Sequence, residues 1–301
     1  MSRITLLDGG MGQELVHRAG DRPTPLWSTQ VMVDHPGLVR AVHDDYFAAG
    51  ATIATTNSYA LHRDRLSGTL LEGKQAALIN LSVAEAQAAR DAHGAGRIAG
   101  SIGPLIASYR PDIHPAHDVA VPLYGELAKC LAKGCDLLIC ETVASIAHAR
   151  AVMEGALQAG LPVWLALTVD DTDGTRLRSG EALAGVLDVA QGGAMQRAEA
   201  LLINCSTPEA IPAALDILAQ GGKPFGAYAN GFTRITEGFL ADKPTVDALS
   251  ARHDLGPDAY AAHAMGWIAQ GASIVGGCCE VGPAHIAEIA RQLRAAGHEV
   301  V

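Results

Sequence analysis

Three of the six cysteines stand where a strand pattern gives way to a loop. The apolar run Ala200–Asn204 ends in Cys205, and the run Ser273–Val275 leads through Gly276-Gly277 into Cys278-Cys279. Three thiolates with one position left open form a zinc site that can accept a substrate atom. Soft sulfur donors select zinc over magnesium, calcium or manganese. Adjacent residues of an extended strand point to opposite faces, so Cys278 and Cys279 can share one ion only if the backbone turns there. The two preceding glycines supply such a turn. Buried packing thiols or a strained vicinal disulfide fit the same pattern, and spacing alone leaves these readings open. Cys130, Cys135 and Cys140 fall in a helix, at its end and in a strand, where core packing is expected.

Other signals carry less chemistry. Gly9-Gly10-Met11-Gly12 lacks the glycine spacing of a dinucleotide fingerprint. Asp170-Asp171-Thr172-Asp173-Gly174 starts like a calcium loop, but its glycine comes too early, so a polar turn is expected. His114 and His117 have helical spacing, yet Pro111 and Pro115 place them in a loop, and most of the 12 histidines are expected at the surface.

The elements that must position the thiols follow from hydrophobic spacing. Short apolar runs at Ile4–Leu7, Thr52–Thr56, Arg97–Ser101, Leu137–Cys140 and Val163–Thr168 precede Ala200–Asn204, Phe225–Tyr228 and Ser273–Val275. Their length and composition suit strands buried on both faces. Helical patterns such as Leu38–Ala49, Lys74–His93 and Pro283–Ala296 lie between them; in the first, Leu38, Val42, Tyr46 and Ala49 share one stripe. Strand–helix alternation implies parallel βαβ units, and eight in 301 residues fit an α/β fold of the (β/α)8 TIM-barrel type, one domain over 1–301. An open doubly wound sheet is the alternative. Two long connections, Gly10–Pro36 and Ala229–Pro257, follow the first and seventh strands, at the face where barrel active sites are built.

Composition narrows the function classes. Hydrophobic residues make up 49% and aromatics only 4%, so the core must be aliphatic. A net charge of −10 without a Lys/Arg run argues against nucleic acid. No run of about 18 apolar residues is present to span a bilayer, and the N-terminus lacks the pattern of a signal peptide. Cytoplasmic localisation and small-molecule partners are therefore expected, with self-association left open.

Gly276-Gly277-Cys278-Cys279 followed by Pro283-Ala284-His285-Ile286 resembles the C-terminal signature of the homocysteine S-methyltransferase family. Leu7-Asp8-Gly9-Gly10-Met11-Gly12-Gln13-Glu14-Leu15 is similar to that family's first strand–helix loop. Thr56-Asn57-Ser58-Tyr59, Glu141-Thr142 and Asn204-Cys205 occur in the family's order at strand ends. Leu26-Trp27-Ser28 and Asp34-His35-Pro36 resemble the single-domain members that use sulfonium donors, and the resemblance runs from Leu6 to Ile286. Two departures stand out. Many members carry Gly-Thr-Thr where this chain has Glu280-Val281-Gly282, and Gly-Pro where it has Ser206-Thr207-Pro208.

The resemblance implies zinc held by Cys205, Cys278 and Cys279, and methyl transfer from S-methylmethionine or S-adenosylmethionine to homocysteine. It implies Asp8 and Glu141 on the substrate ammonium, and the N–H groups of Gly9, Gly10 and Met11 on its carboxylate. Asn57 belongs to the same pocket. Tyr59 closes the site or fills the fourth metal position. Trp27 and Phe232 offer an aromatic wall to a cationic donor, and Asn230 shapes the turn beside it. The alternatives are a thiol or selenol methyltransferase using another onium donor such as betaine, or a non-catalytic zinc-binding barrel.

Overall fold

The computed structural model describes residues 2–21, 24, 26–240 and 249–301. Among the described residues, nine strands form one parallel sheet: β1 (Arg3–Leu6), β2 (Ile53–Thr55), β3 (Arg97–Ile102), β4 (Leu137–Val143), β5 (Val163–Leu167), β6 (Ala200–Asn204), β7 (Phe225–Tyr228), β8 (Ile274–Val275) and β9 (Glu299–Val300). Consecutive strands pair from β2 to β8, and β8 pairs with β1. Leu7, just past β1, bridges Ile53 of β2 in parallel, and Thr52 N–H donates to Leu6 O at 2.7 Å. Those contacts close the ring into the expected (β/α)8 barrel. The open-sheet alternative fails there.

The ninth strand was not expected. It pairs with β1 at Arg3 and Ile4, below the level where β2 joins. Thr52 Oγ1 bonds Val301 O at 2.7 Å and Leu6 O at 3.1 Å, so one hydroxyl links the ends of β9 and β1.

The apolar runs are continuous because both strand faces are covered. Leu137, Ile139, Trp164, Ala166 and Leu202 point into the barrel, while Leu138, Cys140, Leu165, Leu167 and Ile203 point out at the helices. Cys140 and Cys135 are buried in that outer layer, and Cys130 packs against it, as expected of packing thiols. In α3 (Leu38–Ala49), Val42 and Tyr46 are fully buried and Leu38 and Ala49 half-buried, so the stripe faces the barrel.

The connection 10–36 is no open loop. It folds into α1 (Met11–Ala19) and α2 (Trp27–Asp34), which pack on each other beside β1. The connection 229–257 is irregular in its described part, with residues 241–248 outside the described set. His114 follows a 3-10 turn, whereas His117 opens the helix His117–Leu131, so only the first of the pair is in a loop. His43, His62 and His148 are buried, while the other histidines are exposed or half-buried, as expected of most of them. Among the described residues, no helix is long and apolar enough to cross a membrane.

Candidate active site

Cys205 leaves β6, and Cys278 and Cys279 leave the short β8. Their three sulfurs lie within 4.8 Å of one another at the floor of a cavity of about 760 Å³. Cys205 and Cys278 are paired as a disulfide, with Cα atoms 5.8 Å apart, and Cys279 is free. The pairing joins two strand ends and not the vicinal cysteines. As thiolates the trio is a soft, clustered donor set that fits a thiophilic cation. Burial, with the Glu280 and Glu141 charges behind it, pushes the Cys279 thiol up to about 12, so a thiolate there needs a neighbouring positive charge.

The backbone holds this cluster by several contacts. Cys205 sits in the left-handed region at φ 47°, and its carbonyl accepts from Thr168 Oγ1 at 3.2 Å and Arg178 Nη2 at 3.4 Å. Arg178 is locked by two hydrogen bonds of 2.8 and 2.7 Å to Asp171, the side chains being only 11% and 14% exposed. Asp171 also accepts from Thr207 N–H at 3.1 Å. Asp170 takes the polar-turn role expected of that segment, accepting from Thr172 and Asp173. Around β8, Cys278 N–H donates to Ala229 O at 2.9 Å and Gly231 N–H to Cys279 O at 2.8 Å.

The glycines do different work from that expected. Gly276 and Gly277 are not left-handed; a Cβ on Gly276 would collide with Leu7, just past β1, and one on Gly277 with Val281 of the same loop, so both admit close packing. The left-handed residue is Glu280, φ 64°, a conformation that ordinarily favours glycine. Its carboxylate accepts from Gln13 Nε2, and Gln13 Oε1 accepts from Trp27 Nε1 at 2.9 Å. The departure at position 280 is thus tied to the aromatic wall. His285 pins the same loop: Gly282 N–H donates to its Nδ1 at 3.2 Å, and its Nε2 meets Leu255 O at 3.2 Å.

Two buried carboxylates face the cavity. Thr55 donates to Asp8 from N–H at 2.6 Å and Oγ1 at 2.8 Å. Burial nevertheless pushes the Asp8 carboxyl up to about 7, with the Glu141 charge adding to it. Glu141 accepts from Ser101 Oγ and from Tyr228 OH, the latter at 2.8 Å. Its pKa is raised, again chiefly by burial. Neither carboxylate has a cationic partner among the described residues, which suits a pair awaiting an ammonium.

Gly9, Gly10, Met11, Asn57, Tyr59 and Trp27 all line the cavity. Gly10 N–H donates to Val281 O and Met11 N–H to Gly9 O, both at 2.9 Å, which leaves the Gly9 N–H of that trio without an acceptor among the described residues. Asn57 Nδ2 donates to Ser28 O at 3.2 Å, tying the β2 loop to α2. Tyr59 OH bonds Ser108 Oγ at 2.7 Å, and the Tyr59 ring meets Trp27 edge-on at 6.4 Å. Phe232 is buried and lines the wall, its N–H held by Asn230 Oδ1 at 3.1 Å.

Sequence reasoning passed over Ser101, Tyr228, Arg178 and Asp171. Ser101 and Tyr228 end strands at the active face, a positional signal that was available. Trp27, Ile106, Tyr109, Thr142, Cys205 and Glu280 are the left-handed non-glycine residues among those described, and all lie in or next to this cavity. Strain of that kind concentrates at functional sites.

Comparison with known proteins agrees with this geometry. The family described as homocysteine S-methyltransferase matches residues 5–293. The homocysteine S-methyltransferase of Escherichia coli (strain K12) is 34% identical, over 95% of this chain and 94% of its own. Homocysteine S-methyltransferase YbgG of Bacillus subtilis (strain 168) is 30% identical, over 97% and 95%. Crystal structures of the homocysteine methyltransferase MmuM from Escherichia coli superpose with TM-score 0.80. The metallated form is 31% identical and covers 97% of this chain and 96% of that one; the oxidised form is 32% identical and covers 96% of each. The chain belongs to the homocysteine S-methyltransferase family.

Proposed function

We propose that this protein transfers a methyl group from a sulfonium donor, S-methylmethionine or S-adenosylmethionine, to the sulfur of homocysteine, giving methionine. Cys205, Cys278 and Cys279 hold Zn²⁺, and the chain works as one barrel domain over 1–301 in the cytoplasm. The observation that carries this reading is the convergence of three sulfurs and two cation-less buried carboxylates on one cavity.

A free thiol with a pKa of about 8.5 is mostly protonated at neutral pH. Zinc supplies the Lewis acidity that lowers this value and keeps the acceptor sulfur anionic. The chain's own residues do the rest. Asp8 and Glu141 take the acceptor's ammonium, with Thr55, Ser101 and Tyr228 fixing their oxygens. Gly9 N–H receives its carboxylate. Trp27, Tyr59 and Phe232 present ring faces and edges to the positive donor. The acceptor sulfur attacks the methyl carbon in line, a new S–C bond forms, and the donor S–C bond breaks. That electron pair returns to the donor sulfur, which leaves as a neutral thioether. The thiol proton goes to solvent, so no side chain need be a strong base.

Elemental analysis of reduced protein tests the metal arm: about one zinc per chain is expected, and none in Cys279→Ser. Mass spectrometry of products from homocysteine with a labelled-methyl donor panel tests the chemistry. Zinc bound without labelled methionine from any sulfonium would favour a non-catalytic barrel.

A further inference from the structure

The cavity has a second charged region for which the acceptor offers no ligand. Arg65, on the short helix α4 (Arg63–Leu66), lines it. Its Nε and Nη2 donate to Pro104 O at 3.1 and 2.9 Å, and Nη2 approaches Ser108 Oγ at 3.5 Å. Its Nη1 has no acceptor among the described residues, and no carboxylate pairs with it. The adjacent Asp64 lines the same cavity and accepts from Ile106 N–H at 2.5 Å, but it forms no ion pair with Arg65 among the described residues. Arg110 also lines the cavity, but it is committed to both oxygens of Asp112 and to Leu240 O. A half-buried guanidinium with spare N–H groups and no counter-ion is incompletely compensated.

Arg65 also lies next to the aromatic wall. Its guanidinium carbon is 5.8 Å from the Tyr59 ring centroid, and Tyr59 in turn meets Trp27. The cavity thus carries carboxylates and thiols in one part, then two aromatic rings, then an unpaired guanidinium. A sulfonium resting on the rings can reach that guanidinium only through an anionic group of its own.

We propose that Arg65 receives the carboxylate of the methyl donor, so that the site takes α-amino-acid sulfoniums in preference to onium compounds without a carboxylate. The assignment rests on the methyl-transfer reading for the identity of its ligand. It is tested by binding, so that the two can fail separately.

The test is calorimetric titration of the reduced, zinc-loaded protein with S-methylmethionine and with its decarboxylated analogue, (3-aminopropyl)dimethylsulfonium. Wild type is expected to bind the carboxylated compound more tightly. In Arg65→Met its affinity falls about tenfold to hundredfold, the range for a charge-assisted hydrogen bond. The analogue binds both proteins alike, homocysteine affinity stays unchanged, and Arg65→Lys recovers part of the loss. Equal wild-type affinity for the two compounds overturns the assignment. So does an Arg65→Met protein that keeps S-methylmethionine affinity, or that loses the analogue equally. Intact, Arg65-dependent donor binding without methyl transfer would overturn the reaction and leave this site standing.

Discussion

Tyr228, at the end of β7, donates its hydroxyl to Glu141 of β4 at 2.8 Å. The two residues are 87 positions apart in sequence and meet because strand ends converge at one face of a closed barrel. Ser101 of β3 donates to the other Glu141 oxygen. The carboxylate is held by hydroxyls and left without a cation, which reserves its charge for a ligand. Tyr228→Phe removes one of these bonds and lets the carboxylate turn. Homocysteine KM should rise about tenfold, the scale of a hydrogen bond to a charged group, with zinc content unchanged. Steady-state kinetics with elemental analysis checks this.

Asp8 offers a pH-dependent readout. Burial raises its pKa from 3.8 to about 7, so the folded state holds a proton through a range in which the unfolded chain has released it. Stability is therefore lost as pH rises from about 4 to 7, and the cost is complete above 7. Asp8→Asn removes that cost. Ligand-free Asp8→Asn protein should be more stable than wild type by about 4 kcal/mol at pH 8 and nearly equal to it near pH 4. It should also lose homocysteine binding. Denaturant melts at both pH values decide the matter.

His43 titrates with the opposite sign. It is buried on α3, both ring nitrogens lack partners among the described residues, and burial lowers its pKa to about 3. The unfolded chain takes up a proton below about 6.5, whereas the folded one does not until about 3. Its contribution is therefore fully present above 6.5 and lost as pH falls. His43→Leu should gain about 2 kcal/mol over wild type on moving from pH 7 to pH 5. Thermal melts at the two values measure the difference.

Arg178 and Asp171 form a buried pair that buttresses the Cys205 carbonyl. Arg178→Met leaves Asp171 uncompensated and should cost about 3–5 kcal/mol of stability. It should also weaken zinc retention about tenfold, the scale of a lost outer-shell contact. Adding Asp171→Asn removes the stranded charge and should restore part of the stability without restoring zinc retention. Chelator competition beside denaturant melts separates the two effects.

The fold was legible because eight apolar runs of the right length recur with helical patterns between them. Ala200–Asn204 and Phe225–Tyr228 come out residue for residue. The thiol cluster was legible too, since its members stand immediately beyond strands. Helices α1 and α2 escaped because they are short and lie among glycines and prolines; β9 is only two residues long. Spacing along a chain cannot show which strand ends meet, so Tyr228 on Glu141 and Arg178 under Cys205 required coordinates. Local conformation was hidden for a different reason. Glutamate at 280 gives no sign of a left-handed backbone, because its contact with Gln13 spans 267 positions.

The most direct test follows the label from methyl-labelled S-methylmethionine into methionine, with homocysteine as acceptor. The same reduced protein is assayed as purified, after chelation and after reloading with zinc. Labelled methionine should form, disappear with the metal and return with about one zinc per chain. Full turnover by metal-free protein would contradict the role given to Cys205, Cys278 and Cys279.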